Sequence, residues 1–259
     1  MAVAAALLAL AGCGSPSPDS SPASPSTSDG GEVTGTLTVF AAASLTDVFG
    51  ALGNRLTADN PDLDIRFNFA GSSALATQLT QGAPADVFAS ANRSQMTVVT
   101  DAGLQAEKPR VFTENVLEIA VPAGNPGKVT GLADFADPEL TLAICAPDVP
   151  CGAAATQVFD AAGVTAAPDT EEEDVRAALT KVQLGEVDAA LVYASDVQSA
   201  GSDVEGIEFP EAEEAVNEYP ICALSAAPNP EAAQAFVDLV LSDEGQQALE
   251  AAGFRAPAA

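Results

Sequence analysis

Val39-Phe40-Ala41-Ala42-Ala43-Ser44-Leu45-Thr46-Asp47 joins two hydrophobic patterns. Upstream, Leu37, Val39 and Phe40 form a short β-prone run; downstream, Leu45, Val48, Phe49, Leu52 and Leu56 recur at helical spacing. The stretch predicts a strand, a turn of small residues and a helix. Ser44, with an acidic residue three positions on, matches a capping box, which makes it the expected N-cap. A second reading stands beside that one. A turn this small lets backbone N–H groups and one hydroxyl meet an anion at the positive end of the helix dipole.

The same pattern recurs. Leu63, Ile65, Phe67 and Phe69 alternate with polar residues as in a strand, which runs into Ala70-Gly71-Ser72-Ser73-Ala74-Leu75 and a helix closed by Gly82. Residues 86–89 predict a third strand. Strands alternating with helices imply βαβ units, whose ligands sit beyond the carboxyl ends of the strands, and Ser44 and Ser72 both lie there. After a strand at 116–121 ended by Pro122, a second series begins: strand 140–145, loop 148–152, helix 153–162, a helix with Val175, Ala178, Leu179 and Val182 on one face, and strand 189–193. A strand at 219–224 and two helices, capped by Asn229 and Ser242, close the chain. The expected fold is α/β with two lobes, each a mainly parallel sheet flanked by helices, joined by a two-stranded hinge. Residues 34–113 and 224–259 would form the first lobe and 114–223 the second, with a ligand cleft between them.

The 259 residues are 47% apolar, enough for substantial cores. A net charge of −28 with 9 Lys+Arg argues against a nucleic-acid partner, which needs a cationic face. The first 12 residues read as a secretory signal peptide, although no basic residue leads the apolar run. Leu10-Ala11-Gly12-Cys13 resembles a bacterial lipobox, which implies cleavage before Cys13 and a lipid on it. Residues 13–33, rich in Ser and Pro, read as a flexible tether, so the expected location is outside the cytoplasmic membrane and anchored to it. With Cys13 set aside, Cys145, Cys151 and Cys222 allow one disulfide. Cys145 ends a strand and Cys151 opens a helix, which makes them candidates for a bridge, with Cys222 as the alternative partner.

The chain has no histidine. That removes the usual general base, the Ser-His-Asp arrangement and nearly all zinc and iron sites. No Asp-x-Asp-x-Asp-Gly calcium loop is present, and the run 171–174 reads as a solvated helix start. The expectation is a non-enzymatic binding protein without a cofactor and without a protein side chain bonded to a metal cation. What remains is a cleft of helix N-termini, hydroxyls and a phenol, a set of near-neutral donors suited to a small tetrahedral dianion.

Six blocks carry a family resemblance: Val39 to Leu45, Phe69 to Ala76, Gly82 to Ala91, Val149-Pro150-Cys151-Gly152, Glu173-Asp174-Val175-Arg176 and Val192-Tyr193-Ala194-Ser195-Asp196. Together, in order, they resemble the molybdate-binding proteins of molybdate ABC transporters, the type II periplasmic binding proteins. The resemblance implies that molybdate or tungstate is held by the Ser44 and Ser72 hydroxyls and amides, the Cys151 and Val175 amides and the Tyr193 hydroxyl. It also implies an ABC permease and its ATPase as partners and a monomer as the working form. Cys151 stands where well-known members carry a smaller residue such as alanine, and the contact it implies is through the backbone. A sulfate-binding or other tetrahedral-oxyanion-binding protein is the alternative, and an exported serine hydrolase a remote one.

Overall fold

The computed structural model describes residues 32–258. The expected signal peptide, the expected lipidation site Cys13 and nearly all of the expected tether lie outside the described residues.

The first sheet begins with β1 (Gly35–Ala42), which passes through a short 3-10 turn, Ala43–Leu45, into α1 (Thr46–Asp59). Then come β2 (Leu63–Ala70), α2 (Ser72–Thr80), β3 (Val87–Ala89), α3 (Arg93–Asp101) and β4 (Arg110–Asn115). The second sheet is built from β5 (Leu117–Pro122), β6 (Leu142–Cys145), α4 (Pro150–Ala162), β7 (Thr170–Glu172), α5 (Val175–Gln183), β8 (Ala189–Tyr193), α6 (Ala194–Ala200) and β9 (Val204–Ile207). The chain then returns to the first sheet with β10 (Asn217–Ala223), α7 (Pro230–Leu241) and α8 (Asp243–Ala251).

Both sheets have five strands, in the orders β2-β1-β3-β10-β4 and β7-β6-β8-β5-β9. Within each, the three strands of the βα series are parallel, a fourth (β10 or β5) joins them antiparallel, and the fifth (β4 or β9) pairs antiparallel with that fourth strand. One topology is therefore used twice, although the halves share no visible residue repeat. The inner parallel strands β3, β6 and β8 are short apolar runs because helices cover both of their faces, whereas the edge strands β2 and β7 keep polar residues. Phe49, Phe112 and Phe236 fill one face of the first sheet, Leu75, Phe88 and Met96 the other, and Phe135, Val158 and Leu191 lie in the core of the second lobe.

The boundary between the lobes differs from the expected 223/224. β10 pairs with β3 and β4, so it belongs to the first sheet, and the second lobe closes earlier, where Ala212 and Ala215 pack into its core. Alternation identifies a strand but does not say which sheet receives it. The crossings are correspondingly brief. Asn115 still pairs with Asn217 of β10, whereas the next residue, Val116, already accepts a bond from the Ala194 amide in the second lobe.

Candidate functional site

The cleft between the lobes narrows to a cavity of about 10 Å³ lined by Ser44, Gly71, Ser72, Cys151, Val175 and Tyr193, among others. It is smaller than the pockets that take drug-sized molecules, so its natural occupant is a small ion or solute. All five residues read from the sequence as ligand contacts meet here. The first sheet contributes Ser44 and Ser72 and the second contributes Cys151, Val175 and Tyr193.

Four of the five arrive by the same local device, and Tyr193 is the last residue of β8. Ser72 is the first residue of α2, Val175 the first of α5 and Cys151 the second of α4, and Ser44 lies in the 3-10 turn ahead of α1. First-turn amides have no intrahelical acceptor, so helix N-termini converging on one space offer it unpaired N–H groups and the positive ends of their dipoles. The helix containing Cys151 begins three residues earlier than the expected position 153, because Pro150 occupies its first turn, where a missing N–H costs nothing.

The cap expected of Ser44 is not formed. No side chain caps α1; Ser44 Oγ instead shares a hydrogen bond of 2.9 Å with the phenol oxygen of Tyr219. Tyr219 is fully buried in β10, and no sequence motif singled it out, since only the return of β10 to the first sheet brings it 175 positions back to Ser44. Ser72 Oγ accepts the Ala91 amide at 3.0 Å, which leaves its hydrogen free for the cavity. Tyr193 is 1% exposed, and its hydroxyl has no hydrogen-bond partner. It lies edge-on to Tyr219 with ring centroids 6.1 Å apart, near enough for each phenol to affect the other's titration but without a hydrogen bond at the Tyr193 oxygen. Burial, then Tyr219 and Asp196, push the Tyr193 phenol well above its ordinary value, so it stays a donor.

No Lys or Arg lines the cavity. Arg176, next in sequence to Val175, is already engaged: one guanidinium nitrogen bonds Asp47 across the cleft at 2.7 Å, and Nε lies 2.8 Å from Asp196 Oδ1, out of hydrogen-bond alignment. Asp196 is buried behind the site and accepts the Tyr193 amide at 3.2 Å. Burial raises its carboxyl to about 6 against the opposing pull of Arg176. Asp174 also lines the cavity, and its carboxylate caps α5 by accepting the Ala177 amide. The acidic run ahead of α5 is therefore an edge strand, β7, followed by a cap, and no cluster suited to a metal ion is found among the described residues.

Cys145 and Cys151 are joined by a disulfide across the loop that precedes α4, and Cys222 is a free, buried thiol in the first lobe, pushed up to about 12 by burial. Gly152 completes this corner. A side chain there would collide with the Ala146 carbonyl, so the cysteine that lines the cavity must be followed by glycine. Reducing the bridge is expected to lower stability by roughly 2 kcal/mol, the loop-entropy figure for a six-residue span. Urea unfolding with and without reductant measures it, and identical midpoints would contradict it.

The family described as bacterial extracellular solute-binding protein matches residues 37–255. The chain is 45% identical to the molybdate-binding protein ModA of Mycobacterium tuberculosis over 256 residues, covering 98% of this chain and 96% of that protein. Its fold is similar to the periplasmic molybdate-binding protein of Azotobacter vinelandii, with a TM-score of 0.74 at 18% identity over 86% of this chain and all of the other. It is also similar to the sulfate-binding protein SubI of Mycobacterium tuberculosis, with a TM-score of 0.70 at 17% identity over 85% and 86% of the two chains.

Proposed function

This chain belongs to the bacterial extracellular solute-binding proteins, and from that premise we propose that it captures molybdate or tungstate between its lobes and delivers it to an ABC permease and its ATPase. The observation that carries the ligand class is the Tyr193 hydroxyl, buried, unpartnered and facing a space lined by helix N-termini and two serines. A buried polar group without a partner costs about 1–3 kcal/mol, and an anion with acceptors on every oxygen removes that cost. Ser44, Ser72 and Tyr193 donate through hydroxyls in this reading, and Cys151 and Val175 through amides. The protein acts by binding and release and not as an enzyme, and it uses no cofactor. A lipid on Cys13 holds it at the outer face of the cytoplasmic membrane; no helix among the described residues is long and apolar enough to cross one.

A donor-only site penalises a ligand that carries its own proton. Hydrogen phosphate would bury an O–H against donors, whereas molybdate, tungstate and sulfate carry none at neutral pH. Thermal unfolding with each oxyanion in turn tests the reading. At a concentration one hundred times its Kd, a ligand bound only by the folded state adds about 2.7 kcal/mol of stability. Molybdate and tungstate are expected to give the largest shifts and phosphate none. A larger shift with sulfate would favour a sulfate receptor, and an equal shift with phosphate would refute the donor-only site.

A further inference from the structure

A serine hydroxyl both donates and accepts, so lining the cavity does not by itself decide which way the Ser44 hydrogen points. For Ser72 the backbone decides. The Ala91 amide can only donate, and its bond to Ser72 Oγ leaves the serine hydrogen directed elsewhere. Ser44 has no such amide; its partner is the Tyr219 phenol at 2.9 Å.

We propose that Tyr219 is a positioning residue for oxyanion binding, donating its phenol hydrogen to Ser44 Oγ so that the Ser44 hydrogen is aimed into the cavity. The inference rests on an oxyanion occupying that cavity. A phenol is a better proton donor than an aliphatic alcohol, and an anion beyond Ser44 draws the serine hydrogen toward itself. The chain phenol to hydroxyl to anion is thus polarised in one direction, each bond strengthening the next. Tyr219 is held for this task. It is 0% exposed, its ring packs edge-on against Phe112, Tyr193 and Phe254, and burial keeps its hydroxyl protonated far above neutral pH. The pairing also places the orienting group on β10, the strand by which the chain re-enters the first lobe.

The test is a double-mutant cycle on molybdate affinity, with sulfate run in parallel, using wild type, Tyr219→Phe, Ser44→Ala and the double variant. Phenylalanine keeps the ring packing and removes one oxygen. The chain has 2 Tyr and 0 Trp, so in Tyr219→Phe intrinsic fluorescence comes from Tyr193 alone and reports the site directly. Tyr219→Phe is expected to weaken binding about tenfold, the scale of one hydrogen bond. In the Ser44→Ala background the same change is expected to have no effect, because no hydroxyl is left to orient. An equal loss in both backgrounds would mean that Tyr219 only supports the fold, and no loss in the single variant would mean that Ser44 orients itself; either overturns the proposal. A wild type that prefers sulfate would correct the ligand while leaving the coupling to be read with that anion. Binding of neither anion by wild type would refute the function and this role together.

Discussion

Tyr193→Phe is expected to bind molybdate roughly ten- to a hundredfold more weakly than wild type, the range for losing a hydrogen bond to a charged acceptor of about 1.5–3 kcal/mol. The ligand-free protein is expected to unfold at the same temperature as wild type, since no protein hydrogen bond is lost. In the closed cleft the Tyr193 oxygen is buried without a protein partner, so phenylalanine keeps the ring packing and removes only the group left for an anion. Titration by calorimetry together with thermal unfolding of the empty protein measures both. A variant that loses stability and keeps its affinity would show that the phenol serves the fold and not the ligand. Ser72 provides the contrast, since its Oγ already accepts the Ala91 amide and its removal strands a buried donor.

Gly71→Ala is expected to weaken molybdate binding by a comparable factor through closure of the lobes. Gly71 ends the turn between β2 and α2, and a methyl group built on it would fall well under 3.0 Å from the Glu173 carbonyl oxygen of the opposite lobe. The obstacle is backbone on both sides, so no side chain can swing away to relieve it. Overpacking of this kind costs typically 1–3 kcal/mol, or about five- to a hundredfold in affinity if it is released by leaving the cleft ajar. The glycine has an ordinary backbone angle, so the unliganded fold should be unaffected. Small-angle scattering with saturating molybdate should show Gly71→Ala less compact than wild type, as expected when hinge closure around a ligand is incomplete. Wild-type affinity and compactness would mean that the lobes tolerate the methyl group.

The serine turns were legible because their signals are local. The change from strand to helix periodicity at Ala41–Ala43 locates a turn of small residues, and a helix N-terminus offers unpaired amides whatever the rest of the chain does. Absence of histidine was equally informative, since it removes whole classes of chemistry without reference to geometry. The role given to Ser44 as a cap illustrates the limit of such reading. A capping box describes what a hydroxyl does when nothing distant competes for it, and here a phenol 175 residues away does.

Sequence by itself determined the βα series, the two-lobed α/β class, the donor chemistry at the helix starts and the residue types available for it, because each depends on neighbours within a few positions. Tertiary structure alone decided the rest. It assigned β10 to the first sheet, set Tyr219 against Ser44, left the Tyr193 hydroxyl unpaired and brought Gly71 against Glu173. These are contacts between segments far apart in the chain, and neither periodicity nor composition carries information about which distant groups share a low-dielectric space once both are removed from water.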